Sequence, residues 1–237
     1  MLEKAISFVG FKNSGKTTLI LEVAKVLQEK GLKVAIAKFS HNNFDLANTD
    51  TGKFLAANCP TLGLSPQTTF LGWPQKKFLL DLLPLIQADV LLVEGGKDLT
   101  WLPRIILPLE DQDLEQLDNG LALGYFSQQK FATSLPWLTS AQQVANIAAE
   151  KSFILPGLNC GSCGRSNCLE AGQAIVANQA DLSICPIRRQ DQLVLKVNGQ
   201  KIGLNPFVER IIYKTLTGIL SELKGVSGGE VSLTLKL

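Results

Sequence analysis

Apolar runs along the first 150 positions predict a chain in which strands and helices alternate. Short runs typical of buried strands are AISFV, KVAIAKF, ADVLLVEGG, PRIILPL and LALGYF. Leu19, Ile20, Val23 and Leu27 follow the first run at helical spacing, and SAQQVANIAAE is typical of a closing helix. Strands that alternate with helices favour an α/β domain with a mainly parallel sheet.

The last fifty residues carry a different pattern. QLVLKVNGQKIGLNP places two alternating runs around Asn198-Gly199, which predicts a hairpin, and Asn205-Pro206 is typical of a helix start. EVSLTLKL alternates like a terminal strand. We therefore predict a small α+β unit at this end, whose helix has an apolar stripe at Val208, Ile212, Leu216, Ile219 and Leu223.

The residues that follow the first predicted strand have the spacing of a phosphate-binding loop. GFKNSGKTT matches the P-loop pattern G-x-x-x-x-G-K-[ST]. In such a loop glycines let backbone N–H groups point at phosphate oxygens, the lysine adds a positive charge, and the hydroxyl that follows it can ligate Mg²⁺. The candidate nucleotide-binding residues are Gly10, Asn13, Ser14, Gly15, Lys16, Thr17 and Thr18.

The run ADVLLVEGG ends on an acid, Glu94. An acidic group just past a buried strand is where a P-loop protein holds its Mg²⁺ or the water shell of the metal. We therefore expect Thr17 and Glu94 to hold Mg²⁺. Lys16 and Glu94 are the candidate catalytic residues, for at most a slow Mg²⁺-dependent hydrolysis.

Charge and composition narrow the class of protein. Apolar residues make up 46 % of the chain and charged residues 19 %, the net charge is +2, and no run of Lys or Arg exceeds two. A nucleic-acid or membrane-surface binder usually carries a basic stripe, so neither partner is expected. The longest apolar stretch, FLLDLLPLI, is too short to span a bilayer. We expect a cytoplasmic protein.

Three blocks in this order, GFKNSGKTT, KFSHNNFDLANTDTGKFLAANC and VEGGKDLTWLPRIIL, resemble the MobB family of adaptors in molybdopterin-guanine dinucleotide biosynthesis. The resemblance covers most of residues 1–150. It implies a GTP-binding α/β fold, usually dimeric, which serves the guanylyltransferase that attaches GMP to molybdopterin or a partner in molybdoenzyme maturation. Guanine is implied by this resemblance alone, because the chain has no N-K-x-D-like string.

The same resemblance implies a mobile loop near the metal or the partner. Its segment is HNNFDLANTDTGK, with His41, Asp45, Asp50 and Lys53. The chain departs from the family twice, with SHNN where paired histidines are usual and VEGGK where VEGFK is common. His41 is the single histidine of the chain and receives no catalytic role.

Four of the five cysteines lie close together, in the pattern Cys160-x2-Cys163-x4-Cys168-x16-Cys185. Three close thiols with a distant Cys-Pro are typical of iron–sulfur ligation, whereas zinc usually takes two close pairs. LPGLNCGSCGRSNCLEAGQAIVANQADLSICP also resembles the 4Fe-4S domain of corrinoid iron–sulfur proteins. We expect a [4Fe–4S] cluster on these thiols, with zinc as the alternative and disulfides last. Cys59 is expected to be a half-buried thiol without a role.

Together these patterns predict three units. Residues 1–150 form the P-loop nucleotide-binding domain, residues 151–190 the [4Fe–4S] module with a short helix between its last two cysteines, and residues 191–237 the α+β unit. The leading hypothesis is a GTP-binding adaptor with an added cluster. The alternatives are a nucleotide-gated electron-transfer protein and a zinc-stabilised P-loop adaptor.

Overall fold

The computed structural model describes residues 2–40, 49–188, 193–197, 199–202, 206–223 and 231–234. The strands are β1 (Lys4–Gly10), β2 (Val34–Lys38), β3 (Thr61–Leu64), β4 (Thr69–Gly72), β5 (Val90–Glu94), β6 (Arg104–Leu107), β7 (Ala122–Phe126), β8 (Trp137–Leu138), β9 (Leu195–Val197) and β10 (Gln200–Ile202). The helices are α1 (Lys16–Glu29), α2 (Asp50–Ala56), α3 (Leu79–Leu82), α4 (Asp111–Leu117), α5 (Ala141–Lys151), α6 (Cys168–Val176) and α7 (Pro206–Ser221). Single 3₁₀ turns span Leu83–Leu85, Leu182–Ile184 and Pro186–Arg188.

A six-stranded sheet organises the first part of the chain. Its order is β2-β5-β1-β6-β7-β8, and all five neighbouring pairs are parallel. Parallel strands have their carboxyl ends at one edge, so the loops after β1, β2 and β5 meet there. The five strands expected from apolar runs are all present, which confirms the α/β class with a mainly parallel sheet.

One face of the sheet is covered by α1 and α5. Side chains alternate along a strand, so Ile6 and Phe8 of β1 point to this face, where they pack with Val23 and Leu27 of α1 and with Val144 of α5. All five are fully buried. Burial of side chains of this size contributes about 1.5–3 kcal/mol each, and it fixes the start of α1 beside the end of β1.

The other face is covered by the cysteine-rich segment and by α4. Leu91 and Val93 of β5 pack with Phe153 and with the thiols of Cys168 and Cys185. Farther along the sheet, α4 covers β6 and β7 in a separate cluster. The cysteine-rich segment therefore shares a core with the sheet and supplies part of one of its two covering layers.

All four predicted helices and the pairing of the C-terminal hairpin are confirmed. The helices α1, α5, α6 and α7 lie where the pattern indicated, and β9 pairs antiparallel with β10. The helix α7 begins at Pro206, while Asn198 and Asn205 lie outside the described residues. The prediction of a terminal strand is wrong over residues 231–234, which are irregular. The antiparallel pair of β3 and β4 was not predicted from the sequence.

None of the helices in the described ranges combines the length and the apolar character that crossing a membrane requires.

Candidate nucleotide site and cysteine cluster

The loop between β1 and α1 has the backbone geometry of a phosphate-binding loop. Asn13 and Gly15 take left-handed conformations, with φ of 66° and 81°. A Cβ at Gly10 would lie 2.7 Å from the Leu107 carbonyl oxygen, so the start of the loop lies close against β6, which neighbours β1 in the sheet. Among the described residues, no side chain caps α1 and its first turn holds no acid. The N–H groups at this end are therefore available to an anion.

Lys16 folds back over the loop that precedes it. Its Nζ donates to the Phe11 carbonyl at 2.6 Å and to Ser14 Oγ at 3.2 Å. Burial lowers the pKa of Lys16; the Glu94 carboxylate opposes that shift, and the charges of Lys97 and Lys38 add to it. The ammonium of Lys16 thus lies near the charged groups of Glu94, Lys97 and Lys38.

Thr17 and Glu94, the two residues predicted to hold Mg²⁺, are in direct contact. Thr17 Oγ1 donates to Glu94 Oε1 at 3.1 Å across 77 positions of sequence. The contact forms because β5 lies beside β1 in parallel register, with Glu94 opposite Phe8. A hydroxyl and a carboxylate are both oxygen ligands of the kind that Mg²⁺ takes beside a bound phosphate.

Lys38 shares the carboxylate and was missed by the sequence analysis. Its Nζ lies 3.2 Å from Glu94 Oε1, because Lys38 and Glu94 are opposite each other on β2 and β5. The charges of Lys38, Lys97 and Glu94 all act on Lys16, so three ammonium groups and one carboxylate belong to this site. The excess of positive charge suits a polyphosphate. The position of Lys38 at the end of an apolar run is the signal that could have indicated it.

Arg104 holds the loop that carries Lys97. Its side chain is buried, with Nη1 donating to the Leu117 carbonyl at 2.7 Å and Nη2 to the carbonyls of Lys97 and Leu99 at 3.0 and 2.8 Å. Burial lowers the pKa of Arg104 to about 10, so the side chain remains a cation at neutral pH. The ammonium of Lys97 stacks 3.8 Å from the centre of the Phe11 ring. Arg104 therefore positions one wall of the P-loop site.

The loop expected near the metal is described only in part. Asp50 and Lys53 lie in α2 and pair with each other at 3.0 Å, with both side chains exposed. His41 and Asp45 lie outside the described residues. The role of this segment stays a prediction.

The four clustered cysteines differ in depth. Cys168 and Cys185 are buried in the core beneath β5, Cys163 packs at its edge, and Cys160 is exposed. None of the described cysteines is in a disulfide. Over the described ranges, no group of three or more His, Cys, Asp or Glu side chains converges closely enough to hold a metal ion. The assignment of the four thiols as ligands stays a prediction.

Local hydrogen bonds explain why this segment turns as it does. Gly161 and Gly164 adopt left-handed conformations, with φ of 68° and 76°. The Cys168 N–H donates to Asn159 Oδ1 at 2.9 Å, and Asn167 caps α6 by accepting from the Glu170 N–H. These turns and hydrogen bonds set the path of the chain from Asn159 into α6.

Two thiols have shifted acidities. Hydrogen bonds from the Ser162 side chain and backbone lower the pKa of Cys160. Burial raises the pKa of Cys185, and the neighbouring Cys168 and Cys163 add to that shift. Cys163, Cys168 and Cys185 also belong to the same apolar cluster. Cys59, expected to be half-buried, is instead exposed because it follows α2 on the surface of the chain.

Two parts of the chain match models of known protein families. Residues 5–119 match the family model described as "Molybdopterin guanine dinucleotide synthesis protein B" (MobB), and residues 155–187 match the one described as "Putative Fe-S cluster". A Methanocaldococcus jannaschii protein named "Putative molybdopterin-guanine dinucleotide biosynthesis adapter protein" is 26 % identical over 232 residues, covering 94 % of this chain and 93 % of its own.

Two similarities concern Bacillus subtilis. A protein named "Probable molybdopterin-guanine dinucleotide biosynthesis adapter protein" is 28 % identical over 131 residues, which cover 51 % of this chain and 75 % of its own. The crystal structure of Bacillus subtilis MobB superposes with a TM-score of 0.48 at 26 % identity, covering 56 % of this chain and 88 % of that one.

Proposed function

We propose that this chain is an adaptor of molybdopterin-guanine dinucleotide biosynthesis that binds GTP with Mg²⁺ and carries a [4Fe–4S] cluster. The matches of residues 5–119 to the MobB model and of residues 155–187 to the model described as "Putative Fe-S cluster" support it. The names of the two relatives support the adaptor role. Its partner would be the molybdopterin guanylyltransferase or a protein of molybdoenzyme maturation. A homodimer and a cytoplasmic location belong to the same proposal.

The observation that carries nucleotide binding is the contact between Thr17 and Glu94 at 3.1 Å. It brings together a P-loop hydroxyl and a strand-end carboxylate, the two oxygen donors expected at the Mg²⁺ of a bound nucleotide. Backbone N–H groups of residues 13–18 and the Lys16 ammonium would hold the phosphates. Bound Mg²⁺ would neutralise phosphate charge. The proposal includes at most slow hydrolysis, with Lys16 and Glu94 as the residues concerned.

Equilibrium binding of GTP tests this part. We expect saturable, Mg²⁺-dependent binding to the full chain, and a Kd about 10- to 100-fold higher in Lys16→Ala, because a hydrogen bond to a charged phosphate is lost. Lys25→Ala, on the exposed face of the same helix, is the matched control and should bind like the original. Equal affinity in Lys16→Ala would contradict the proposal.

The thiols of Cys160, Cys163, Cys168 and Cys185 have the chemistry that a [4Fe–4S] cluster requires. Three of them lie in or beside one apolar core cluster and the fourth lies three residues away on the surface. An apolar surrounding with one exposed edge limits solvent around a cluster while leaving a side open to an electron-transfer partner. Four thiolates would also hold zinc, which is why metal content decides between the two.

A second candidate function is nucleotide-gated electron transfer, because strand β5 contacts both the nucleotide site and the cysteine-rich segment. Val93 of β5 packs with Cys168 and Cys185, while the next residue, Glu94, contacts Thr17 in the nucleotide site. A change at Glu94 has a short path to the thiols through this strand. The test is the reduction potential of the cluster with and without nucleotide. A shift of about 60 mV, a tenfold change for one electron, would support gating, and an unchanged potential would exclude it.

A further inference from the structure

A cleft continues from the P-loop along α1. Its volume is about 700 Å³. It begins at residues 13–15 of the loop, and its walls include Thr18, Glu22, Leu109, Phe126, Gln128 and Gln129. One wall is thus the first two turns of α1, and the other is formed by the segments that follow β6 and β7.

The position of the cleft matches the reach of a nucleotide held by its phosphates. Thr18 and Glu22 are one turn apart and lie on the same side of α1. Glu22 is six residues beyond Lys16, which places it about 9 Å farther along the helix. Phosphates bound at the loop would leave the sugar and base lying in the cleft, at the carboxyl edge of the sheet where ligands of open parallel sheets bind.

The far wall is held in place by its own contacts. The Trp137 indole N–H donates to the Ser127 carbonyl at 2.9 Å, and the Gln129 N–H donates to Ser127 Oγ at 3.2 Å. Leu109 and Phe126 supply apolar surface for a flat ring, and Gln128 and Gln129 bring amides that can donate or accept. Little rearrangement is then needed before a base enters.

Glu22 is the one acid among the described residues that line this cleft. A carboxylate only accepts hydrogen bonds at neutral pH. The Watson–Crick edge of guanine offers two adjacent donors, N1–H and the exocyclic amino group, whereas adenine has an acceptor at N1 and no amino group at C2. A carboxylate therefore attracts the guanine edge and repels the adenine edge.

We propose that this cleft is the base-recognition subsite and that Glu22 selects guanine by accepting from N1–H and the exocyclic amino group. The inference rests on the proposed nucleotide function and deepens it. Gln128 and Gln129 supply the donors that face the guanine carbonyl oxygen. Guanine selection here needs no N-K-x-D-like string, because the acid comes from α1.

Calorimetric titration of the full chain with GDP, inosine diphosphate and ADP in Mg²⁺ tests the proposal. The original chain is expected to bind GDP at least about tenfold more tightly than ADP, with inosine diphosphate, which lacks the exocyclic amino group, in between. In Glu22→Gln, affinity for GDP should fall about tenfold, while affinity for ADP should stay the same or rise because the amide no longer repels adenine N1. Glu29→Gln, at the far end of the same helix, is the matched control and should keep the full preference for GDP.

Three other results of these titrations would each contradict a specific part of the proposal. If Glu22→Gln retains the original ratio of GDP to ADP affinity, Glu22 does not read the base. If the original chain binds both nucleotides equally, the cleft does not select guanine, although nucleotide binding stands. If none of the three nucleotides binds, the proposed function fails and this inference fails with it.

Discussion

A single carboxylate oxygen at the end of β5 has two partners. Glu94 Oε1 accepts from Thr17 and from the ammonium of Lys38, and the Glu94 side chain is 13 % exposed against 50 % for Lys38. The lysine therefore places a cation against the oxygen that we assign to Mg²⁺. A metal that binds Glu94 must displace this ammonium, which is then free to contact a phosphate.

Replacement of Lys38 by methionine removes that competitor. A half-exposed ion pair contributes about 0.2–1 kcal/mol, so the Mg²⁺ concentration that half-saturates GTP binding is expected to fall about two- to fivefold in Lys38→Met. A titration of Mg²⁺ at fixed nucleotide measures this, with Lys25→Met as the control on an exposed surface. A higher Mg²⁺ requirement would mean that Lys38 acts on phosphate alone.

The sequence predicted Glu94 better than it predicted Lys38. A glycine pair after an apolar run marks the end of a strand, which identifies Glu94 without any knowledge of its neighbours. The Lys38 contact depends on β2 lying beside β5, and strand order is set by tertiary packing. Arg104 was missed for a related reason, because its three carbonyl partners come from the last residue of α4 and from the loop after β5, which only the fold brings together.

At the scale of elements, β1, the P-loop and α1 act as one unit. Gly10 ends β1 where a Cβ would meet Ser14 Oγ and the Leu107 carbonyl oxygen. The Leu107 backbone on one side of Gly10 and the Ser14 side chain on the other leave no room for a methyl group. The glycine is therefore required by the close approach of β6 to the loop.

Gly10→Ala is expected to lower the free energy of unfolding by about 1–3 kcal/mol, since overpacking forces the backbone to move. Urea denaturation measures the change. Gly218→Ala in α7, where no heavy atom lies within 4 Å of the added methyl group, is the control and should be neutral or slightly stabilising. An equally small effect at Gly10 would show that the loop can move away from β6.

Elements with a buried side were predictable, and elements without one were not. The strands of the main sheet carry continuous apolar runs because both faces are covered. The strands β3 and β4 have four residues each and leave Leu62, Leu64 and Leu71 exposed, so neither carries the continuous apolar run that indicates a buried strand. Residues 231–234 show the converse error, because alternation of Val231 and Leu233 indicates a strand only where a partner strand is present.

At the scale of the molecule, the cysteine-rich segment is a layer of the fold. Leu91 and Val93 of β5 pack with Phe153, Cys168 and Cys185, so removal of this segment would uncover the part of that face which α4 does not cover. The three core clusters of the described residues end at Ile187 and include nothing from β9, β10 or α7. The sequence predicted a domain boundary at residue 150, and that boundary stays a prediction. A cysteine pattern indicates candidate metal ligands but not the surface against which they pack.

Two truncated chains test whether the layer is needed. A fragment of residues 1–188 is expected to unfold at nearly the same temperature as the full chain, because it keeps every described member of the three clusters. A fragment of residues 1–150 is expected to be far less stable or to aggregate, because Leu91 and Val93 lose their cover. Equal melting temperatures for the two fragments would show that the P-loop domain folds independently of the cysteine-rich segment.

The two proposed centres are a nucleotide site at the carboxyl edge of the sheet and an iron–sulfur cluster beneath one of its faces. Metal analysis tests their presence on one chain most directly. Iron, acid-labile sulfide and zinc are measured in protein purified without oxygen. We predict about four iron and about four sulfide per chain, lost in Cys185→Ser and retained in Cys59→Ser. Zinc without sulfide would contradict the account, and the four cysteines would then be a structural metal site on a P-loop adaptor.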